Sequence, residues 1–193
     1  MNMELNQELK EIVAPAKTAV LLWDVQNMLV DNIFNKETFL ANTNEVLAAA
    51  REKNMPVFFS KIDPLPERFE SPVRKYFAKH RVFQLKFTPT GLDLAIEPLA
   101  NEAVVRKNTA SIFIGTNVEQ MLRNTGITTI VLIGIATEIG VESSARDALN
   151  RGFFPVIVTD AVSSYNQAAH HRSLENMQNM MILLSAKELI SLW

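Results

Sequence analysis

The sequence contains no cysteine. That absence removes disulfides, thiolate metal ligands and any thiol nucleophile, and it suits a reducing compartment. Glycine is scarce, and neither phosphate-cradling pattern, G-x-x-x-x-G-K-[ST] or G-x-G-x-x-G, occurs. An excess of one charge is also missing. With 19 basic and 21 acidic residues the formal net charge is −2, which gives no overall attraction to nucleic acid or to an anionic membrane. There is no H-E-x-x-H, and His170 and His171 are neighbours whose side chains would diverge on a helix. No metal and no cofactor is expected. The longest apolar runs, "AVLLW" and "IVLIGIA", fall far short of a bilayer span. The acidic, polar start "MNMELNQELKEIV" carries Leu5, Leu9, Ile12 and Val13 at helical spacing, so residues 1–16 read as a docking helix rather than an export signal. A cytoplasmic protein with no nucleic-acid and no membrane partner is the expectation.

What is present is apolar: hydrophobic residues make up 48% of the 193 positions, enough to bury a core within one domain spanning 1–193. Short apolar runs recur at 18–25, 55–62, 102–107, 128–136, 154–161 and 180–186. Most are too continuous to alternate, as in strands buried on both faces. Helical patterns lie between most of them. One places Phe39, Val46, Leu47 and Ala50 on one side, and others stop at Gly126 and Gly152. This alternation predicts an α/β fold with a mainly parallel, doubly wound sheet. Residues 63–101 break the rhythm, because Pro64, Pro66, Pro72, Pro89 and Pro98 interrupt any long element.

Ligands of such sheets bind outside the carboxyl ends of the strands. Those ends carry Asp24 and Gln26, Lys61 and Asp63, Arg106 and Lys107, Gly134 to Thr137, and Asp160. A carboxylate between a buried strand and a lysine is an acid–base arrangement, although Asp24 as a turn cap and Lys107 as a solvated strand end are the plainer alternatives. Thr137 reads as the N-cap of a helix that buries Val141, Ala145 and Ala148 and leaves Arg146 and Asp147 to solvent or to a local ion pair. The amides of 138–140 would then favour an anion. Gly140, in the first turn, either permits close helix–strand packing or leaves room for a ligand. Met177, Met180 and Met181 read as core filling. The basic stretch 61–86, with Arg68, Arg74, Lys75, Lys79, Arg81 and Lys86 among aromatic residues, reads first as an amphipathic helix with a solvated basic face. A nucleic-acid surface and a lid over an anionic substrate are its other readings.

Three blocks agree in order with a known family. "AVLLWDVQNMLV", "VVRKNTASIFIGTNVEQMLRNTGITTIVLIGIATEIGVESSARDALNRGFFPVIVTDAVSS" and "HHRSLENM", followed by "LLSAKELI", resemble the isochorismatase-like, or cysteine hydrolase, superfamily from about Lys17 to Ile190. The resemblance implies a Rossmann-like three-layer α/β/α fold with a six-stranded parallel sheet, hydrolase activity and a homodimer or higher homo-oligomer. It assigns catalysis to Asp24, in the D-x-Q block with Gln26, and to Lys107, followed by Ser111 and Phe113. It places a non-proline cis peptide at Ile135–Ala136. Gly140 stands where the amidase branches carry their nucleophilic cysteine, and "SKIDPLP" stands where nicotinamidases carry a metal-binding D-x-H. Isochorismatases are similar in lacking that cysteine, although this chain has Ala136 where they carry a site tyrosine. By analogy Asp24 would protonate a small anionic vinyl ether, Lys107 would position it, and Gln26, Phe113, Ile135, Ala136 and Gly140 would line its site. The alternative is a catalytically silent homologue of the amidase branch that keeps the pocket for binding or regulation.

Overall fold

A computed structural model describes residues 3–80, 88 and 90–193. Arg81, Lys86 and Pro89, named above in the basic and proline-bearing stretches, lie outside the described residues. The strands are β1 (Thr18–Trp23), β2 (Val57–Ile62), β3 (Ala103–Lys107), β4 (Thr129–Ile135), β5 (Phe154–Ser163) and β6 (Ile182–Leu184). They form one parallel sheet in the order β3-β2-β1-β4-β5-β6. The order reverses between β1 and β4, which makes that junction the switch point where such sheets open a crevice.

The helices are α1 (Met3–Ile12), α2 (Asn27–Val30), α3 (Lys36–Glu52), α4 (Pro72–Lys79), α5 (Val118–Asn124), α6 (Glu142–Asn150), α7 (Gln167–Met177) and α8 (Ala186–Leu192). Every residue of β1 and β4 is buried, because helices cover both faces and no position can be left polar. Side chains alternate across β1. Val20 and Leu22 join Phe39, Val46 and Leu47 of α3 on one side, while Ala19, Leu21 and Trp23 join Val141, Ala145 and Ala148 on the other. At the N-terminus Val13 is fully buried. Its carbonyl accepts from Trp193 Nε1 at 2.9 Å, and the Ile12 carbonyl accepts from Thr129 Oγ1 at 2.6 Å.

The proline-bearing excursion is zipped onto the chain that follows β1. Asn27 N–H donates to the Asp93 carbonyl and Ala95 N–H to the Val25 carbonyl, both at 2.9 Å, and Gln26 bridges Leu94 antiparallel. Among the described residues of the basic stretch, Lys61 pairs with Asp93 and Arg74 with Glu70. Helix α4 exposes Lys75 and Lys79, one turn apart, and also exposes Val73 and Tyr76. Two further expectations need correction. Strand β5 runs on to Ser163, so Asp160 lies within it and not at its end, and its Oδ1 accepts the Ala186 N–H at 2.8 Å. Met177 is core, but Met180 is exposed.

Candidate active site

Asp24 follows the last residue of β1 with φ of +47°, a left-handed conformation uncommon for a residue with a side chain. Ser60 of β2 anchors it. The Asp24 N–H donates to Ser60 Oγ at 2.9 Å, and the Ser60 hydroxyl donates to Asp24 Oδ1 at 2.5 Å. The other carboxylate oxygen faces Lys107. At the end of edge strand β3 alternate side chains leave in opposite directions: Arg106 turns outward to Asp63 at 3.2 Å, and Lys107 turns inward. Its Nζ stands 2.7 Å from Asp24 Oδ2 and 3.2 Å from the Thr109 carbonyl. The two side chains are 1% and 0% exposed.

Burial dominates the titration of this pair. It pushes the Asp24 carboxyl up, against the pull of Lys107 and Ser60, and it pushes the Lys107 ammonium down, against the pull of Asp24. Burial draws both groups toward their uncharged forms, while their 2.7 Å contact pulls each back toward its charged form. The Thr109 carbonyl also favours the ammonium.

The ring of Trp23 forms the next wall. Lys107 Nζ lies 3.6 Å from its centroid, within cation–π range. Its Nε1 donates to Ser144 Oγ of α6 at 2.9 Å, and the same oxygen accepts the Ile112 N–H at 3.1 Å. A Cβ added to Gly140 would come within 1.8 Å of the indole carbons Cη2 and Cζ2. The space beside Gly140 is therefore occupied by the indole rather than open. Gly134 serves the same close packing, since a Cβ there would lie 2.1 Å from the Trp23 carbonyl oxygen.

The helix entry also differs from expectation. Residues Thr137–Val141 form a π-helical turn whose N-cap is Ala136, and the N–H groups of Ile139, Gly140 and Val141 converge on the Ala136 carbonyl at 3.1–3.2 Å. With those donors satisfied, only the first amides of the turn remain for an anion. The Thr137 hydroxyl, predicted to cap, donates to the Ser163 carbonyl at 3.1 Å and meets His170 Nδ1 at 2.8 Å. With that hydrogen given to Ser163, the Thr137 oxygen is left to accept from Nδ1–H of His170. Burial, then the neighbouring His171, lowers the His170 pKa to about 4.

The remaining named residues divide. Ile135–Ala136 is joined by a cis peptide at the end of β4, beside the β1 terminus. The Gln26 amide is committed to backbone: Nε2 donates to the Leu92 carbonyl at 2.7 Å and Oε1 accepts the Ile62 N–H at 3.0 Å. Phe113 turns into the core, stacked on Phe153 with centroids 6.1 Å apart and covered by the Arg151 guanidinium. Ser111 Oγ accepts the Phe113 N–H at 3.2 Å and shapes that loop. Sequence reasoning missed Trp23, Ser60 and the second role of Arg74, whose guanidinium donates to the Asn108 carbonyl at 2.6 Å. The signal for Trp23 was a large aromatic before Asp24 on the strand face of Ala19 and Leu21, opposite a helix opening on glycine.

Comparison with known proteins places the fold in a family. The family model described as the isochorismatase domain matches residues 18–188. The chain belongs to the isochorismatase family, a family of hydrolases. An uncharacterized isochorismatase family protein, YwoC of Bacillus subtilis, is 29% identical over 164 residues, 82% of this chain and 84% of its own length. The ureidoacrylate amidohydrolase RutB of Agrobacterium fabrum is 31% identical, with 76% of each chain covered. A cysteine hydrolase structure from Pseudomonas syringae pv. phaseolicola superposes with a TM-score of 0.85 over 94% of both chains at 18% identity, which speaks for the fold.

Proposed function

We propose that this protein is a hydrolase that works without a cysteine nucleophile, on a small anionic substrate such as a vinyl ether of the isochorismate type. The observation that carries the reading is the buried Asp24–Lys107 pair, whose carboxyl is pushed up by burial and held by Ser60. A carboxylic acid kept protonated by its surroundings is a competent general acid near neutral pH. When a substrate carboxylate meets the Lys107 ammonium, the pull of Lys107 on Asp24 weakens, and the carboxyl retains its proton more firmly.

In the proposed reaction Asp24 delivers its proton to the terminal vinyl carbon, turning the methylene into a methyl group and leaving an oxocarbenium ion. Water adds to that cation and returns a proton to Asp24. The resulting hemiketal collapses to pyruvate and the free alcohol. Lys107 orients the substrate carboxyl, and the Ile135–Ala136 peptide edges the site. We take the protein to act in the cytoplasm as a homo-oligomer, in keeping with its cysteine-free composition and its family.

The second reading, a silent pocket kept for binding or regulation, draws on one observation: the indole of Trp23 fills the space beside Gly140. The test is pyruvate release from isochorismate by the purified protein, with Asp24→Asn as control. Release that vanishes in the variant supports the hydrolase. A folded wild-type protein that releases none favours the silent pocket.

A further inference from the structure

Trp23 takes no step in the reaction proposed above, yet it touches the groups around it. Its ring faces the Lys107 ammonium at 3.6 Å, its Nε1 is tied to Ser144 at 2.9 Å, and its six-membered ring lies where a Cβ on residue 140 would project, 1.8 Å from Cη2 and Cζ2 and 2.3 Å from Cε2. Real Cβ atoms do not approach so closely. Trp23 is only 4% exposed and packs in one cluster with Leu21, Val141 and Ala145, so moving the indole aside means displacing packed neighbours or releasing Ser144.

We propose that Trp23 is the specificity-determining residue of this site: its indole stands in for a side chain at position 140 and gives Lys107 the face on which it rests. Trp23 and Gly140 form one unit. With the indole in place, no side chain can project from position 140 toward Lys107, and no substrate atom can enter between them. A substrate must reach Asp24 and Lys107 from another side and react without an adduct on residue 140. That favours a small acid over the bulkier acyl groups that a nucleophile at this position would carry. The inference rests on the reading of Asp24 and Lys107 as the reacting pair, but its tests need no substrate, so its failure and the failure of vinyl-ether hydrolysis are told apart.

The first test is a double-mutant cycle in thermal unfolding with Gly140→Ala, Trp23→Leu and the pair. Overpacking against the indole should lower the midpoint by on the order of 5 °C or more, or prevent folding. On the Trp23→Leu background the same methyl should shift the midpoint by less than about 2 °C, because the clash is gone. Equal losses on both backgrounds, or a double variant that fails to fold while Trp23→Leu folds, would overturn the proposal. The second test reads access. Gly140→Cys combined with Trp23→Leu should be alkylated by iodoacetamide, whereas Gly140→Cys alone should resist or fail to fold; equal alkylation of both contradicts the occlusion. The third reads the ring face. Of the two tryptophans, Trp193→Phe leaves Trp23 as the sole emitter, and adding Lys107→Met should shift its emission. An unchanged spectrum would remove the cation–π half of the proposal.

Discussion

On its β2–β3 flank the Asp24–Lys107 pair meets hydrogen-bonding groups: the Ser60 hydroxyl on one carboxylate oxygen and the Thr109 carbonyl on the ammonium. On its α6 flank it meets an aromatic ring, held by Ser144 over a glycine. Hydrogen bonds on the first flank fix where the carboxyl and ammonium stand. Packing on the second fixes what else can stand beside them. The difference separates the chemistry of the site, which needs two ionisable groups, from its selectivity, which needs a shape.

Breaking the first flank should have the largest consequences. Asp24→Asn keeps the shape of the side chain but cannot act as the acid, and turnover should fall by roughly 10²–10⁴-fold, measured as pyruvate release, with an unchanged far-UV spectrum. Lys107→Met leaves Asp24 buried without its partner, and the loss of stability at neutral pH should be about 3–5 kcal/mol in urea unfolding. Adding Asp24→Asn to Lys107→Met should recover part of that loss, since no buried carboxylate then remains. If the double variant is less stable than Lys107→Met alone, the pair is not the electrostatic unit described.

His170 sharpens the contrast from outside the pair. Its folded-state pKa of about 4 lies below the 6.5 expected when unfolded. The unfolded chain therefore binds more protons between those values, and His170 contributes stability above pH 6.5 that is lost as pH falls toward 4. The contribution should be on the order of 2–3 kcal/mol. His170→Asn, which keeps a donor for Thr137, should flatten this part of the profile. A profile just as steep in the variant would contradict the neutral imidazole.

The smallest effects probe the second flank. Ser144→Ala leaves Trp23 Nε1 and the Ile112 N–H without their acceptor, and should lower stability by about 1–3 kcal/mol. The adjacent Ser143 only returns its hydroxyl to the Ile139 carbonyl one turn back, so Ser143→Ala should change stability by less than about 0.5 kcal/mol. Equal effects at the two serines would mean that the indole is not held as described.

The sheet was legible in the sequence because its inner strands are largely buried on both faces. The runs around Leu21, Phe59, Val131 and Ile157 are continuous and apolar, and each of the six became a strand. Asp24 and Lys107 were legible because they sit where apolar runs end. Asp160 misled for the same reason, since β5 continues past it to Ser163. Gln26 and Phe113 were drawn to the site by their blocks, but side-chain direction depends on contacts with Leu92 and Phe153 that no local pattern reveals. Gly140 was visible as a gap, and what filled it was not. That answer lay at Trp23, more than a hundred residues earlier, and only the β1–β4 register brings the two together.

The most direct measurement is hydrolysis of isochorismate in deuterium oxide, with the methyl group of newly formed pyruvate read by mass spectrometry. Proton delivery from Asp24 predicts one deuterium per pyruvate with the wild-type protein and no product above background with Asp24→Asn. Pyruvate formed without deuterium, or formed equally well by Asp24→Asn, would contradict Asp24 as the proton donor.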